Sequence, residues 1–225
     1  MFIESEWKKT KYHCVGLDEV GRGPLAGPVV AGGACFKGGH NKLQKTLQFL
    51  KELKVTDSKK LTSKKRRSII AELGLDLEQI KSGRVISISH LNLSLFLYEC
   101  SPTRIDSLNI LQASLFSMGE CTHQLARDEK VTAYFDGNKI PSELGSNVSA
   151  QAIVKGDSKS ALIALASIIA KEYRDFLMEK IALKYPGYGF EKHAGYPTVF
   201  HKEAIKKLGI TPVHRKTFKG VKEFL

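Results

Sequence analysis

The sequence is short of acid. Against 35 Lys+Arg it carries 23 Asp+Glu, leaving a formal charge of +12. Such an excess points to a polyanionic partner, with nucleic acid first and a membrane surface second. Cysteine is sparse as well. Cys14, Cys35, Cys100 and Cys121 stand far apart, with no CxxC pair and no His at ligand spacing. That spacing excludes a zinc site or a disulfide framework and reads as reduced, buried thiols of a cytoplasmic protein. Long apolar runs are missing too. The greasiest stretch, 161–170, is interrupted by Ser167 and falls well short of the ~20 residues that span a bilayer. The opening MFIESEWKKTKYH has no apolar core of a secretion signal. Neither an internal repeat nor an obvious linker is visible. What is present, 225 residues of which 42% are hydrophobic, suffices for one sizeable core with a small appendage.

The chain is organised around VGLDEVGRGPLAGPVV, residues 15–30. Asp18 and Glu19 end an apolar run and are followed at once by Gly21-Arg22-Gly23. Charged residues are rarely buried unless something pairs with them. The glycines let the backbone turn and come close to a ligand, and Arg22 offers a fork suited to phosphate. Taken alone, the acidic pair is better read as a solvated turn.

Apolar patterning predicts strands over 12–19 and 28–36, a hairpin around that turn. A polar, Lys-rich stretch follows, containing VTDSKKL (55–61). Thr62 or Ser63 then caps a helix over KKRRSIIAEL. RVISISHL (84–91) reads as a strand. Ile105, Leu108, Leu111, Leu115 and Met118 predict one helix from Pro102 to about Ala126. KVTAYF (130–135) and NVSAQAIV (147–154) read as strands that run into Asp136-Gly137 and Lys155-Gly156-Asp157. A long helix begins near Ser158, buried in its first half and amphipathic in its second. It ends at YPGYG, and a shorter helix covers about 198–208. Four or five strands among helices make a mixed α/β layer structure. The expected division is a core over 1–184 and a C-terminal helical segment over 185–225, packed as one domain.

Asp18, Asp136 and Asp157 all fall at the ends of predicted strands or at the start of the helix after one, where they can converge. Asp18, Glu19, Asp136 and Asp157 together suit hard divalent cations that take oxygen ligands. Two such ions activate water and stabilise the leaving oxygen of a phosphodiester. Without metal, gathered carboxylates raise one another's pKa values. Lys155 and Lys159 flank Asp157 and suit phosphate oxygens. Asp157 also reads as a plain helix N-cap, and Tyr196 by itself as a packing residue.

The segments GLDEVGRGPLAGPVV, DSKKL, IDSLNIL, FDG, KGDSKS with SIIAKEYRD, YPGYGFEKHAGYPT and VHRKTF occur in this order over nearly the whole chain. Together they resemble the bacterial ribonuclease HII (type 2 ribonuclease H) family. The related type 3 enzymes carry a large N-terminal extension and another turn in place of Gly-Arg-Gly. The resemblance implies an RNase H-like mixed β-sheet flanked by helices. It also implies an endoribonuclease that degrades RNA in RNA–DNA hybrids and incises 5′ to single ribonucleotides in duplex DNA. Two Mg²⁺ or Mn²⁺ ions would be held by Asp18, Glu19, Asp136 and Asp157. It assigns Gly21, Arg22 and Gly23 to reading the RNA–DNA junction, and Tyr196, with Tyr185 and Tyr188 as nearby alternatives, to stacking past it. Lys59 and Lys159 match phosphate-contact positions. The partner implied is a hybrid or ribonucleotide-containing duplex, with no membrane, and a monomer is the default expectation. One departure is the bulky ALIAL at 161–165, which bears on packing behind the site. A non-catalytic nucleic-acid-binding module and a DNA-directed nuclease of the same fold are the competing readings. Gathered acids argue against the module, because they weaken phosphate binding.

Overall fold

The structure, a computed structural model, describes residues 2–6 and 11–225. β1 (Lys11–Val20) and β2 (Val29–Gly39) pair antiparallel across the Gly21–Pro28 loop, Val20 facing Val30. β5 (Val131–Asp136) lies parallel to β1, and β6 (Val148–Ile153) parallel to β5. On the other side β4 (Leu93–Cys100) pairs with β2, and β3 (Ile86–Ile88) forms the edge. The six strands run in the order β3-β4-β2-β1-β5-β6.

Successive side chains of a strand point to opposite faces, and here both faces are covered. Cys14, Val30 and Ala34 face Leu162, Leu165 and Ile169 of α5 (Ala161–Lys184), whereas Val15, Leu17 and Cys35 face Met118, Cys121 and Leu125 of α4 (Ile110–Ala126). The four cysteines are buried. α5 can approach the sheet because Gly16 and Gly32 present no side chain. A Cβ on Gly16 would stand 2.3 Å from the Ile163 amide nitrogen, and one on Gly32 2.5 Å from the Ala166 carbonyl oxygen.

Several expectations need correction. The Lys-rich stretch after β2 contains a helix, α1 (His40–Glu52), whose Leu43, Thr46, Leu47 and Leu50 are buried. α2 (Ser63–Glu72) starts where expected, with the Thr62 hydroxyl accepting from the Lys65 N–H. The strand expected over 84–91 shrinks to β3, followed by a single 3-10 turn and left-handed Asn92. The strand that sequence reading missed is β4, whose Leu93, Leu95, Phe96 and Leu97 are buried. Helix 102–126 is two helices, α3 (Pro102–Leu108) and α4, broken at Asn109 (φ 66°, ψ 162°). Asn109 caps the second by accepting from the Leu111 and Gln112 N–H groups.

Beyond α5 the chain forms α6 (Phe190–His193) and α7 (Val199–Leu208). Tyr188, Phe190 and Ile205 close a small core with Leu25, Ala26 and Met178, so this segment grips the loop after β1. Among the described residues no helix is long and apolar enough to cross a membrane.

Candidate active site

Asp18 and Asp136 become neighbours through strand pairing. Leu17 is in register with Phe135 on the parallel pair β1–β5, so the next residues, Asp18 and Asp136, lie side by side at the same end of that pairing. β6 ends beside them: Asp136 pairs with Ile153, and left-handed Lys155 (φ 55°) turns the chain back. The Gly156 N–H then donates to Asp136 Oδ1 at 2.6 Å, and Asp157 follows in a 3-10 turn. Asp157 is therefore not the helix cap. That role belongs to Ser160, whose hydroxyl accepts from the Ile163 N–H, and α5 starts at Ala161 rather than Ser158.

Asp18 and Asp157 are each 8% exposed. Burial pushes the Asp18 carboxyl well above the usual range, and the Glu19 and Asp136 charges add to it, while Ser167 and the Glu19 N–H act in the other direction. Burial also raises Glu19, with Arg22 opposing, and raises Asp157, where Asp57 and Asp136 add and Lys59 opposes. Asp136 is thus the member that interacts with the other three. Among the described residues Glu19 is the one of the four in an ion pair, with Arg22 at 3.3 Å. Asp57 and Ser167 were missed in the sequence. Asp57 accepts from the Lys59 N–H and lies against Asp157. The Ser167 hydroxyl bonds Ser58 at 2.9 Å. The DSKKL motif was the available signal for Asp57. Nothing local marks Ser167, which belongs to an apolar helix run.

These are oxygen donors, Asp18 and Asp157 buried and Glu19 and Asp136 part-buried, with one cation, Arg22, in an ion pair among them, which is what a hard divalent cation fits. No three acidic, His or Cys side chains among the described residues have ready-made ligand spacing. An ion here would therefore be held by pairs of carboxylates, with water and substrate oxygens completing its shell.

Arg22 and Lys59 lie beside these carboxylates, and Tyr196 lies beside the glycine turn. Gly23 and half-exposed Arg22 lie at the turn beside Glu19, while Gly21 is buried at its base (φ +93°). Of the three tyrosines, Tyr188 is buried and donates to the Leu208 and Gly209 carbonyls, and Tyr185 packs in the C-terminal core. Tyr196 is 41% exposed, and its ring lies 3.4 Å from where a Gly23 Cβ would stand. Lys59, Lys155 and Lys159 are exposed, and Lys59 is the one whose charge acts on Asp157. A cleft of about 480 Å³ runs from Tyr196 past His193, Lys171, Arg67 and Ser63. The larger cavity, about 750 Å³, lies at the other end of β1 beside His13, Lys37 and Glu129, away from the carboxylates. An open edge suits a long duplex better than a closed pocket does.

Known proteins resemble this chain over nearly its whole length. A family model described as Ribonuclease HII matches residues 15–221. Ribonuclease HII of Francisella tularensis is 42% identical over 94% of this chain and 97% of its own length. In fold the chain is similar to ribonuclease H2 from Pyrococcus horikoshii (TM-score 0.66, 24% identity, 94% of this chain and 96% of that one). It is also similar to a Bst-RNase HIII solved in complex with Mn²⁺ (TM-score 0.66, 15% identity, 98% and 71%). With the matched segment spanning the acidic cluster, the glycine turn and the C-terminal segment, the chain belongs to the ribonuclease HII family, a family of nucleases.

Proposed function

We propose that this protein is an endoribonuclease of RNA–DNA hybrids that also incises 5′ to single ribonucleotides in duplex DNA, leaving 3′-hydroxyl and 5′-phosphate ends. The observation that carries the reading is the placing of Asp18 and Asp136 on adjacent parallel strands, with Glu19 and Asp157 within electrostatic reach. Two divalent ions, Mg²⁺ or Mn²⁺, would be held by these four carboxylates, supplying an activated water and charge neutralisation at the leaving oxygen. The related Mn²⁺ complex of an RNase HIII is consistent with such an ion.

The chain's own residues do the rest. The Gly156 amide holds Asp136, and Ser167 with the Glu19 amide holds Asp18, so the oxygens are aimed before substrate arrives. Arg22 neutralises Glu19 in the free protein and is exposed enough to turn towards a phosphate. The 2′-hydroxyl distinguishes RNA from DNA, and the glycine turn lets backbone approach it closely. Tyr196 beside Gly23 offers a ring for the next sugar. Lys59, Lys155 and Lys159 attract the phosphodiester backbone. A cytoplasmic monomer acting alone on duplex is part of the proposal.

The test is cleavage-site mapping with Mg²⁺ or Mn²⁺ on a duplex holding one ribonucleotide, beside an all-DNA control. A single cut 5′ to the ribonucleotide supports the reading. Binding without cutting would leave a nucleic-acid-binding module, and cutting of the all-DNA duplex would make it a DNA-directed nuclease.

A further inference from the structure

Beneath the glycine turn lie two arginines that the chemistry above does not use. Arg174 on α5 and Arg215 near the end of the chain are both 0% exposed. Buried charge is ordinarily paired, yet neither has a carboxylate at ion-pair distance among the described residues. Carbonyl oxygens take that place. Arg215 donates from Nη2 to Gly21 O at 2.6 Å, from Nη1 to Arg22 O at 3.0 Å and from Nε to Gly27 O at 3.0 Å. Arg174 donates from Nε to Pro28 O at 3.0 Å and from Nη2 to Ala26 O at 3.3 Å. Its Nη1 reaches across to Ala194 O at 3.1 Å, two residues before Tyr196.

A trans peptide is planar, and its C=O and N–H point in opposite directions. The Gly21 carbonyl shares its peptide with the Arg22 amide, and the Arg22 carbonyl shares one with the Gly23 amide. With both carbonyls drawn inward onto Arg215, both amides face outward. Neither amide has a backbone acceptor among the described residues. Consecutive outward N–H groups make a concavity that receives an anion or a hydroxyl oxygen, and here two buried positive charges lie under it. Desolvation pulls Arg174 down to about 10 and, with the Arg174 charge added, Arg215 to about 9, so both stay charged at neutral pH. Only glycine fits at the base of the turn, because a Cβ on Gly21 would stand 2.2 Å from Arg174 Nε.

We infer that Arg174 and Arg215 are positioning residues for ribonucleotide recognition: they turn the Arg22 and Gly23 amides towards the substrate and fix the glycine turn relative to Tyr196. The inference rests on the reading of the turn as the ribonucleotide sensor. Selectivity then depends on two side chains that never touch the substrate.

Arg215→Lys and Arg174→Lys keep the charge but lose the planar fork. The expected result is a fall of about 10–100-fold in kcat/KM on a single-ribonucleotide duplex, the scale on which a ~1 Å misplacement acts. Affinity for an all-DNA duplex of the same sequence should stay within about twofold, because phosphate contacts carry it. Folded variants that keep wild-type kcat/KM, or that lose affinity for both duplexes equally, overturn the inference. If the variants do not fold, amide exchange of the wild-type protein followed by NMR decides the matter. The Arg22 and Gly23 amides should exchange fast in the free protein and slow with the ribonucleotide duplex but not with all-DNA duplex. Protection in the free protein, or none in the complex, overturns it. A wild-type protein that does not prefer the ribonucleotide duplex overturns the sensor reading itself, and this inference with it.

Discussion

Asp136 is the residue on which the others converge, since its charge acts on Asp18, Glu19 and Asp157 alike. Asp136→Asn and Asp18→Asn are expected to lower cleavage by more than the ~10–100-fold that loss of a mere supporting group costs, with duplex affinity nearly kept. A variant that cuts at the wild-type rate would remove its residue from the site. The sign of the pKa shifts adds a second readout. Asp18 is raised in the folded state, so its contribution to stability is present below the ordinary carboxylate pKa and is lost as pH rises through the folded value. At neutral pH and without metal its charge is therefore a cost. Asp18→Asn should melt higher than the wild type in chelator, and added Mg²⁺ or Mn²⁺ should narrow that gap by stabilising the wild type. At the same scale, Tyr196→Ala should weaken cutting at single ribonucleotides about 5- to 150-fold more than on long hybrids, the equivalent of the ~1–3 kcal/mol of a lost stacking platform. Equal losses on both would leave Tyr196 without a junction role.

At the scale of elements, α5 connects everything in the site. Its N-terminus receives the buried Glu4 carboxylate, which accepts from the Ala161 and Leu162 amides at 3.2 and 3.3 Å and from the Ser160 hydroxyl. An acid there complements both the free amides and the helix dipole. The first half of α5 bears Ser167 towards Asp18, and the second half bears Arg174 under the turn. The bulk at 161–165 is accommodated because β1 offers Gly16 opposite Leu162 and Ile163. Gly16→Ala puts a methyl against backbone that cannot yield, and a loss of about 1–3 kcal/mol is expected, read as a lower denaturant midpoint at constant m-value. Cleavage should fall with it, because moving α5 moves Ser167. An unchanged midpoint would mean that the helix does not depend on this close approach.

On the scale of the whole molecule, the C-terminal segment is fixed by a directional chain of buried imidazoles. The Thr211 N–H donates to His214 Nδ1, His214 meets His201 at 3.2 Å, and His201 Nδ1 faces the Tyr196 carbonyl at 2.9 Å. Since His214 Nδ1 accepts, its Nε2 carries the proton and donates to His201, which leaves His201 Nδ1 to donate to Tyr196. Desolvation, helped by His201, pulls His214 down to about 4, below the ~6.5 of a free imidazole. Its contribution to stability is thus present above about 6.5 and is lost as pH falls towards about 4. Wild-type melting temperature should drop across that window, and His214→Gln should flatten the drop. Equal slopes would remove His214 as the cause. The net charge of +12 acts over the same scale: duplex affinity should fall by orders of magnitude between ~50 and 200 mM salt.

Some of this was legible in the linear chain for clear reasons. Strands β1, β2, β5 and β6 carry apolar runs, and Asp18-Glu19 and Asp136 sit near the ends of β1 and β5, so motif and element coincide there. The rest was hidden by composition or by distance. α1 carries so many lysines that its Leu43, Leu47 and Leu50 stripe was lost among them. β4 has leucine where a helix is equally natural, and it is a strand because β2 and β3 flank it. Asn109 splits a helix that periodicity alone would continue. By itself, the order of residues determined which carboxylates and glycines exist and that they end strands. Only folding decided that β1 and β5 run parallel in register and that Arg215, nearly two hundred residues on, turns the Gly21 and Arg22 carbonyls inward. The reason is that a side chain's partners are set by packing in space, which local patterning does not encode.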